Sequence, residues 1–143
     1  MLLKSNDGII CDLCGRAYRN SFTYYSFEST LVQVNTISKA SIKQNKDLDI
    51  DVCDDCYQQS IENVKKFLNK IVGNTIKCDY CTNYMKGNFT YHKVLIHKVI
   101  VTNKKPEISN NHMDYNLDNN CFKQLSDKAN NIKQTIKNEG EWS

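Results

Sequence analysis

The chain has 143 residues, enough for one ordinary domain or two small ones, with a formal charge of +3 and 40% hydrophobic residues. No stretch approaches the roughly eighteen apolar residues of a membrane span, and Met1-Leu-Leu-Lys-Ser-Asn-Asp7 lacks the apolar run of a signal peptide. These features lead us to expect a cytoplasmic chain, in a reducing compartment where paired cysteines bind metal rather than form disulfides.

The first element is the doublet Cys11-Asp-Leu-Cys14, followed by Ser21-Phe-Thr-Tyr24. Phe22 to Phe27 and Leu31 to Val34 are rich in aromatic and β-branched residues and read as strands of a hairpin or short meander. Residues 35–50, rich in lysine and asparagine, read as another short strand or a mobile excursion. A second doublet, Cys53-Asp-Asp-Cys56, opens a helix whose apolar positions Ile61, Val64, Leu68 and Ile71 recur at helical spacing, with Gly73 and Asn74 as its stop. Two Cys-x-x-Cys pairs at this separation form a set of four thiolate ligands for Zn²⁺.

The same order then begins again. Cys78-Asp-Tyr-Cys81 and Asn88-Phe-Thr-Tyr91 stand 67 residues after their counterparts, without gaps, and Val99-x-Val101 answers Val32-x-Val34. At a shift of two residues, Asn116-Leu-Asp-Asn-Asn-Cys-Phe122 answers Asp51-Val-Cys-Asp-Asp-Cys-Tyr57, so that Cys56 meets Cys121 and Cys53 meets Asp118. Asp118 is the expected fourth ligand of a Cys₃Asp site with Cys78, Cys81 and Cys121. His92, His97 and His112, a water molecule, and a copy without metal are the alternatives. Phe122, Leu125, Ala129, Ile132 and Ile136 mark the face of the second helix.

The expected fold is therefore α+β, with two small duplicated zinc-stapled modules, 1–73 and 74–143, each a hairpin or short meander followed by a helix. A cysteine doublet in a turn, a hairpin and a second doublet at a helix start resemble the treble-clef zinc finger. The resemblance covers both halves, through Cys11, Cys14, Cys53 and Cys56 and through Cys78, Cys81, Asp118 and Cys121. It implies two Zn²⁺ per chain and a fold that serves many roles, including ubiquitin-pathway, ribosomal and transcription proteins and some nucleases.

Several functions are disfavoured by residue inventory. There is no Gly-rich phosphate loop and no G-x-S-x-G elbow, and the first half has no histidine for a nuclease of the His-Asn-His type. Both metal sites use four protein ligands, the structural arrangement, so the chain is expected not to be an enzyme. Zinc thiolates would offset the formal charge almost completely, since four thiolates on one Zn²⁺ add about −2 and three on the other about −1.

The leading expectation is an adaptor or regulator acting through protein–protein contacts, on transcription or another host process, with Tyr24, Tyr25 and Phe27 offering aromatic surface. The asparagine-rich composition, with 18 such residues, fits an AT-rich genome such as a virus's, which would make the compartment the host cytoplasm. The alternative is nucleic-acid binding by the basic, aromatic segment 77–105, through Lys86, Tyr91, Lys93, Lys98, Lys104 and Lys105. Lys93, Lys98, Lys104 and Lys105 on one face would favour nucleic acid; scattered lysines beside exposed apolar residues would favour a protein.

Overall fold

The structure, a computed structural model, describes residues 8–35, 39–62, 71–72 and 75–139. It is α+β, mostly strands with two helices. In chain order the elements are β1 (Gly8–Ile10), β2 (Ala17–Arg19), β3 (Phe22–Asn35), β4 (Lys39–Cys53) and α1 (Asp54–Glu62). Then come β5 (Ile71–Val72), β6 (Thr75–Lys77), β7 (Tyr84–Met85), β8 (Phe89–Thr102), β9 (Lys105–Leu117) and α2 (Asn119–Glu139).

The principal sheet is antiparallel, in the order β4-β3-β8-β9. Its strands are far longer than the short hairpin expected, at 13 to 15 residues. The lysine-rich segment before Cys53 is an edge strand, where charge is tolerated because it discourages pairing with other chains. The two central strands come from opposite halves of the chain and pair from Phe22↔Val101 to Val34↔Phe89. One position in that ladder sets a residue opposite its own counterpart in the sequence repeat: Glu28 faces Leu95.

Period-2 alternation divides the sheet into two faces. Tyr25, Phe27, Ile50, Val52, Val94, Ile96, Tyr115 and Leu117 form one buried face and share a core with Tyr57 of α1 and Ala129 of α2. Rings hold the helices to it. Tyr57 stacks on Tyr25 at 3.6 Å between centroids and 9° between planes, and Phe122 stacks on His92 at 3.6 Å and 3°. These two stacks occupy equivalent places in the repeat. The opposite face carries a smaller cluster of Val32, Val34 and Tyr91, with Ile76 from β6 and Met85 from β7 packed on it.

Two expectations need correction. Ile71 does not continue the first helix: it pairs with Ile76, and Val72 pairs with Thr75, in an antiparallel ladder. Adjacent β-branched residues suit a strand, and an isolated apolar residue at helical spacing does not distinguish the two states. Val64, Leu68, Gly73 and Asn74 lie outside the described residues. Tyr25 and Phe27 are not docking surface, since both are buried in the core. Their alternation in β3 points them beneath α1.

Candidate metal centres

Each doublet of Cys-Asp-x-Cys sits between two short strands, β1 and β2 in the first half and β6 and β7 in the second. The turn is closed by the same bonds in both. Cys11 N–H donates to Arg16 O at 2.9 Å and Gly15 N–H to Cys11 O at 2.9 Å; Cys78 N–H donates to Asn83 O at 3.0 Å and Thr82 N–H to Cys78 O at 3.1 Å. The turn requires a left-handed residue, Gly15 at φ 80° in one half and Thr82 at φ 66° in the other.

The aspartates of the doublets, which sequence reasoning passed over, clamp these turns to the sheet. Asp12 accepts the Asp51 N–H at 2.8 Å through Oδ2, and Asp79 accepts the Asn116 N–H at 2.7 Å in the same manner. Their own N–H groups donate to Asp51 O at 2.8 Å and Asn116 O at 2.9 Å. Both side chains are buried, and burial raises the pKa of Asp12. The signal was present in the sequence, as the same residue in the same place of both doublets.

The clamp delivers the first two ligands of each set to the end of a long strand, where the other two wait at a helix start. Cys11, Cys14, Cys53 and Cys56 converge, and so do Cys78, Cys81, Asp118 and Cys121. Within each group all four ligand atoms lie within 4.8 Å of one another, and each group could hold a metal ion. A tetrahedral site with Zn–S bonds of about 2.3 Å has S–S edges of about 3.8 Å. Cys14 and Cys53 have their sulfurs 3.7 Å apart, which fits.

Backbone donors also fit thiolate ligands. Cys11 Sγ accepts the Leu13 N–H at 3.4 Å and the Cys53 N–H at 3.3 Å, and Cys78 Sγ accepts the Asp118 N–H at 3.4 Å. Such bonds favour the charged sulfur. Without a metal, burial dominates: it pushes Cys11 up to about 11 and raises Cys56, Cys81 and Cys121 as well. Burial opposes ionisation of Cys53 too, but hydrogen bonds from the Tyr18 hydroxyl and the Cys56 N–H hold its pKa below the ordinary thiol value. A divalent cation would neutralise the charge that burial penalises.

Asp118 performs two tasks with its two oxygens. Oδ1 accepts the Cys121 N–H at 2.8 Å, the bond of an N-cap aspartate, while Oδ2 accepts from Cys81 Sγ at 2.9 Å. Burial alone would raise this carboxyl, yet the Cys81 thiol and the Cys121 N–H hold it below the usual value. Aspartate thus satisfies both the helix start and the ligand set.

Neither His92 nor His97 is in these groups. His92 hydrogen-bonds through Nε2 to Asn119 Oδ1 at 3.0 Å beneath the Phe122 ring. His97 lies opposite His112 in the β8–β9 ladder, and the His112 side chain is outside the described residues.

Among the basic residues of 77–105, Lys77 and Lys86 share the exposed Tyr84 ring, at 4.9 and 6.0 Å from its centroid, and Lys93, Lys98, Lys104 and Lys105 are dispersed. Lys93 and Lys98 are five apart in β8 and so point to opposite faces. Lys93 lies 3.8 Å from Asp114, and Lys98 borders a depression with Asp54 and Asp55 at the start of α1. Lys104 is in the β8–β9 turn at φ 69°, its N–H bonded to Asn20 O at 2.8 Å, and Lys105 begins β9. Lys86 follows β7, 6.0 Å from the Tyr84 ring, and Tyr91 is buried.

No helix among the described residues is long and apolar enough to cross a membrane. No protein-family model matches the chain, and neither a curated protein nor a solved structure matches it.

Proposed function

We propose that the chain is a non-enzymatic, zinc-stapled adaptor or regulator that works by binding another protein, each half being a treble-clef-like unit holding one Zn²⁺. The observation that carries this reading is the dispersal of Lys93, Lys98, Lys104 and Lys105, and the exposure of Ile100 and Ile108, one on each face of the β8–β9 hairpin near its tip, goes with it. A polyanion rewards cations gathered along one track. Here Lys93, Lys98, Lys104 and Lys105 occupy two faces and a turn, and Tyr91 is in the core, which leaves Tyr84, beside Lys77 and Lys86, as an exposed ring away from that track. Ile108, 66% exposed on the edge strand β9, is instead a side chain that a protein pairing with that edge would cover.

The two readings separate in one experiment. Zinc-loaded protein is titrated against fluorescent single-stranded RNA and DNA of mixed sequence at physiological salt. Binding no tighter than about 10 µM is expected, the range of weak non-specific contact. Tighter binding that weakens steeply with salt, and weakens further in Lys98→Ala and Lys105→Ala, would replace the adaptor reading with the nucleic-acid one. A partner found by cross-linking should lose affinity to Ile108→Glu while metal content stays unchanged.

A further inference from the structure

The two ligand sets differ in one donor, and the difference lies where solvent reaches it. Cys53 is 1% exposed, whereas Asp118, its counterpart, is only partly buried. Asp118 also lines an open cavity of ≈ 700 Å³, bordered by Gln33, Asn88, Phe89, Thr90 and Asn119. The corresponding depression in the first half is smaller, ≈ 410 Å³, and is lined by Tyr18, Phe22, Thr23, Asp54, Asp55 and Lys98 without reaching a ligand. Cys14 and Cys81 are exposed alike, so the halves differ in this: the second leaves Asp118 at the wall of its cavity, and the depression of the first reaches none of Cys11, Cys14, Cys53 and Cys56.

We infer that the second centre has an exchangeable coordination position, at which Asp118 Oδ2 gives way to the imidazole of a histidine carried by the partner protein. This rests on the reading of Cys78, Cys81, Asp118 and Cys121 as a metal centre. Three arguments support it. A carboxylate oxygen is a harder donor than thiolate or imidazole for a borderline-soft ion, so it is the ligand of this set most readily displaced. Its departure does not uncap the helix, because the bond to the Cys121 N–H is made by Oδ1 and remains. The cavity also selects the incoming donor. Apart from Asp118, its lining residues are uncharged, and three thiolates with a carboxylate on a divalent ion carry about −2. A thiolate would enter against that charge with no cation to receive it, while a neutral imidazole would not.

The exchange balances simply. The metal–oxygen bond breaks, a metal–nitrogen bond forms, and no proton moves, provided imidazole enters unprotonated, above its ordinary pKa of about 6.5. Asp118 keeps its charge and turns Oδ2 to the cavity.

The test uses the full chain loaded with cadmium-113 or cobalt(II) at pH about 7.5, titrated with imidazole. Two bound ions per chain are the first observation; a single ion would overturn the Cys₃Asp reading itself and the inference with it. With two ions present, one cadmium resonance should move in a saturable manner as imidazole is added, while the other stays fixed. The cobalt ligand-field bands should change to the extent of one centre. In Asp118→Cys both signals should be insensitive. Two bound ions with no response in the wild-type protein would refute the exchange alone, and so would an equal response in Asp118→Cys. If that variant does not fold, nitrogen-15-labelled imidazole on the wild-type protein decides by itself, since its nucleus must couple to the metal of one centre and not the other.

Discussion

Tyr57 links the first cysteine cluster to the core, which makes it the most informative position to perturb. Its ring is buried, stacks on Tyr25 and meets the edge of Phe27 at 6.4 Å and 87°. It directly follows Cys56 of that cluster. Tyr57→Ala removes a buried ring and leaves space against Tyr25, for which large-to-small aromatic substitutions cost about 3–5 kcal/mol, the stacking itself accounting for about 0.5–1.5 of that. Tyr57→Phe keeps the ring and gives up only the hydroxyl, which rests 3.4 Å from the weak acceptor Met113 Sδ. Its cost should stay under about 1 kcal/mol. Phe122→Ala, at the equivalent but less buried place on α2, should cost about 2 kcal/mol. Urea unfolding followed by circular dichroism at fixed free zinc gives all three numbers, provided the slope with denaturant is unchanged. Stabilities of Tyr57→Ala and Tyr57→Phe within about 1 kcal/mol of each other would refute the claim that the stack fastens α1 to the sheet.

Asp118→Ala should weaken zinc binding at the second cluster, measured by competition with a chelator, and uncap α2, whereas Asp118→Asn, which keeps the helix cap, should weaken zinc binding without the same loss of helix by circular dichroism. Thr82→Gly should raise stability by about 1 kcal/mol, because a β-branched residue is strained at positive φ and glycine is not, less the entropy glycine adds to the unfolded chain. Alkaline titration provides a check on burial. Desolvation by the core pushes Tyr25 and Tyr115 up to about 12, with the Asp54 charge adding to the effect at Tyr25 and nearby Tyr57 at Tyr115. A phenol whose folded pKa is raised contributes stability fully present below the unfolded value of about 10 and lost as pH rises through about 12, so phenolate absorbance and unfolding should rise together in that window. Zinc affinity should run the other way with pH. The metal-free thiols of Cys11, Cys56 and Cys121 hold their protons to high pH. Each proton displaced by zinc weakens the apparent affinity about tenfold per pH unit lost, as competition with a chelator at two pH values should record.

The two four-residue clusters were legible because cysteine pairs repeat at fixed spacing and because Asp118 stands in register with Cys53. The capping of α2 by Asp118 was equally open to view in an aspartate just ahead of an amphipathic run. The long sheet was not legible. Residues 35–50 read equally as a short strand or an excursion, and the strand that forms, β4, runs to 15 residues because β3 offers it a ladder. The pairing of β3 with β8 joins residues such as Phe22 and Val101, a contact that no local pattern encodes. Tyr25 and Phe27 looked like surface for the same reason, since the face of a strand is assigned by what covers it.

The meeting of Glu28 with Leu95 has a consequence for what this architecture allows. If the two halves were separate identical chains in an isologous pair, the residue at this place would lie on the two-fold and confront itself. Glutamate there would set like charges directly across the ladder, which is destabilising, and any replacement would have to be compatible with its own image. Joined in one chain, the halves are released from that demand. The centre of the sheet can hold an acid beside an aliphatic, and a change in one half no longer has to be tolerated twice.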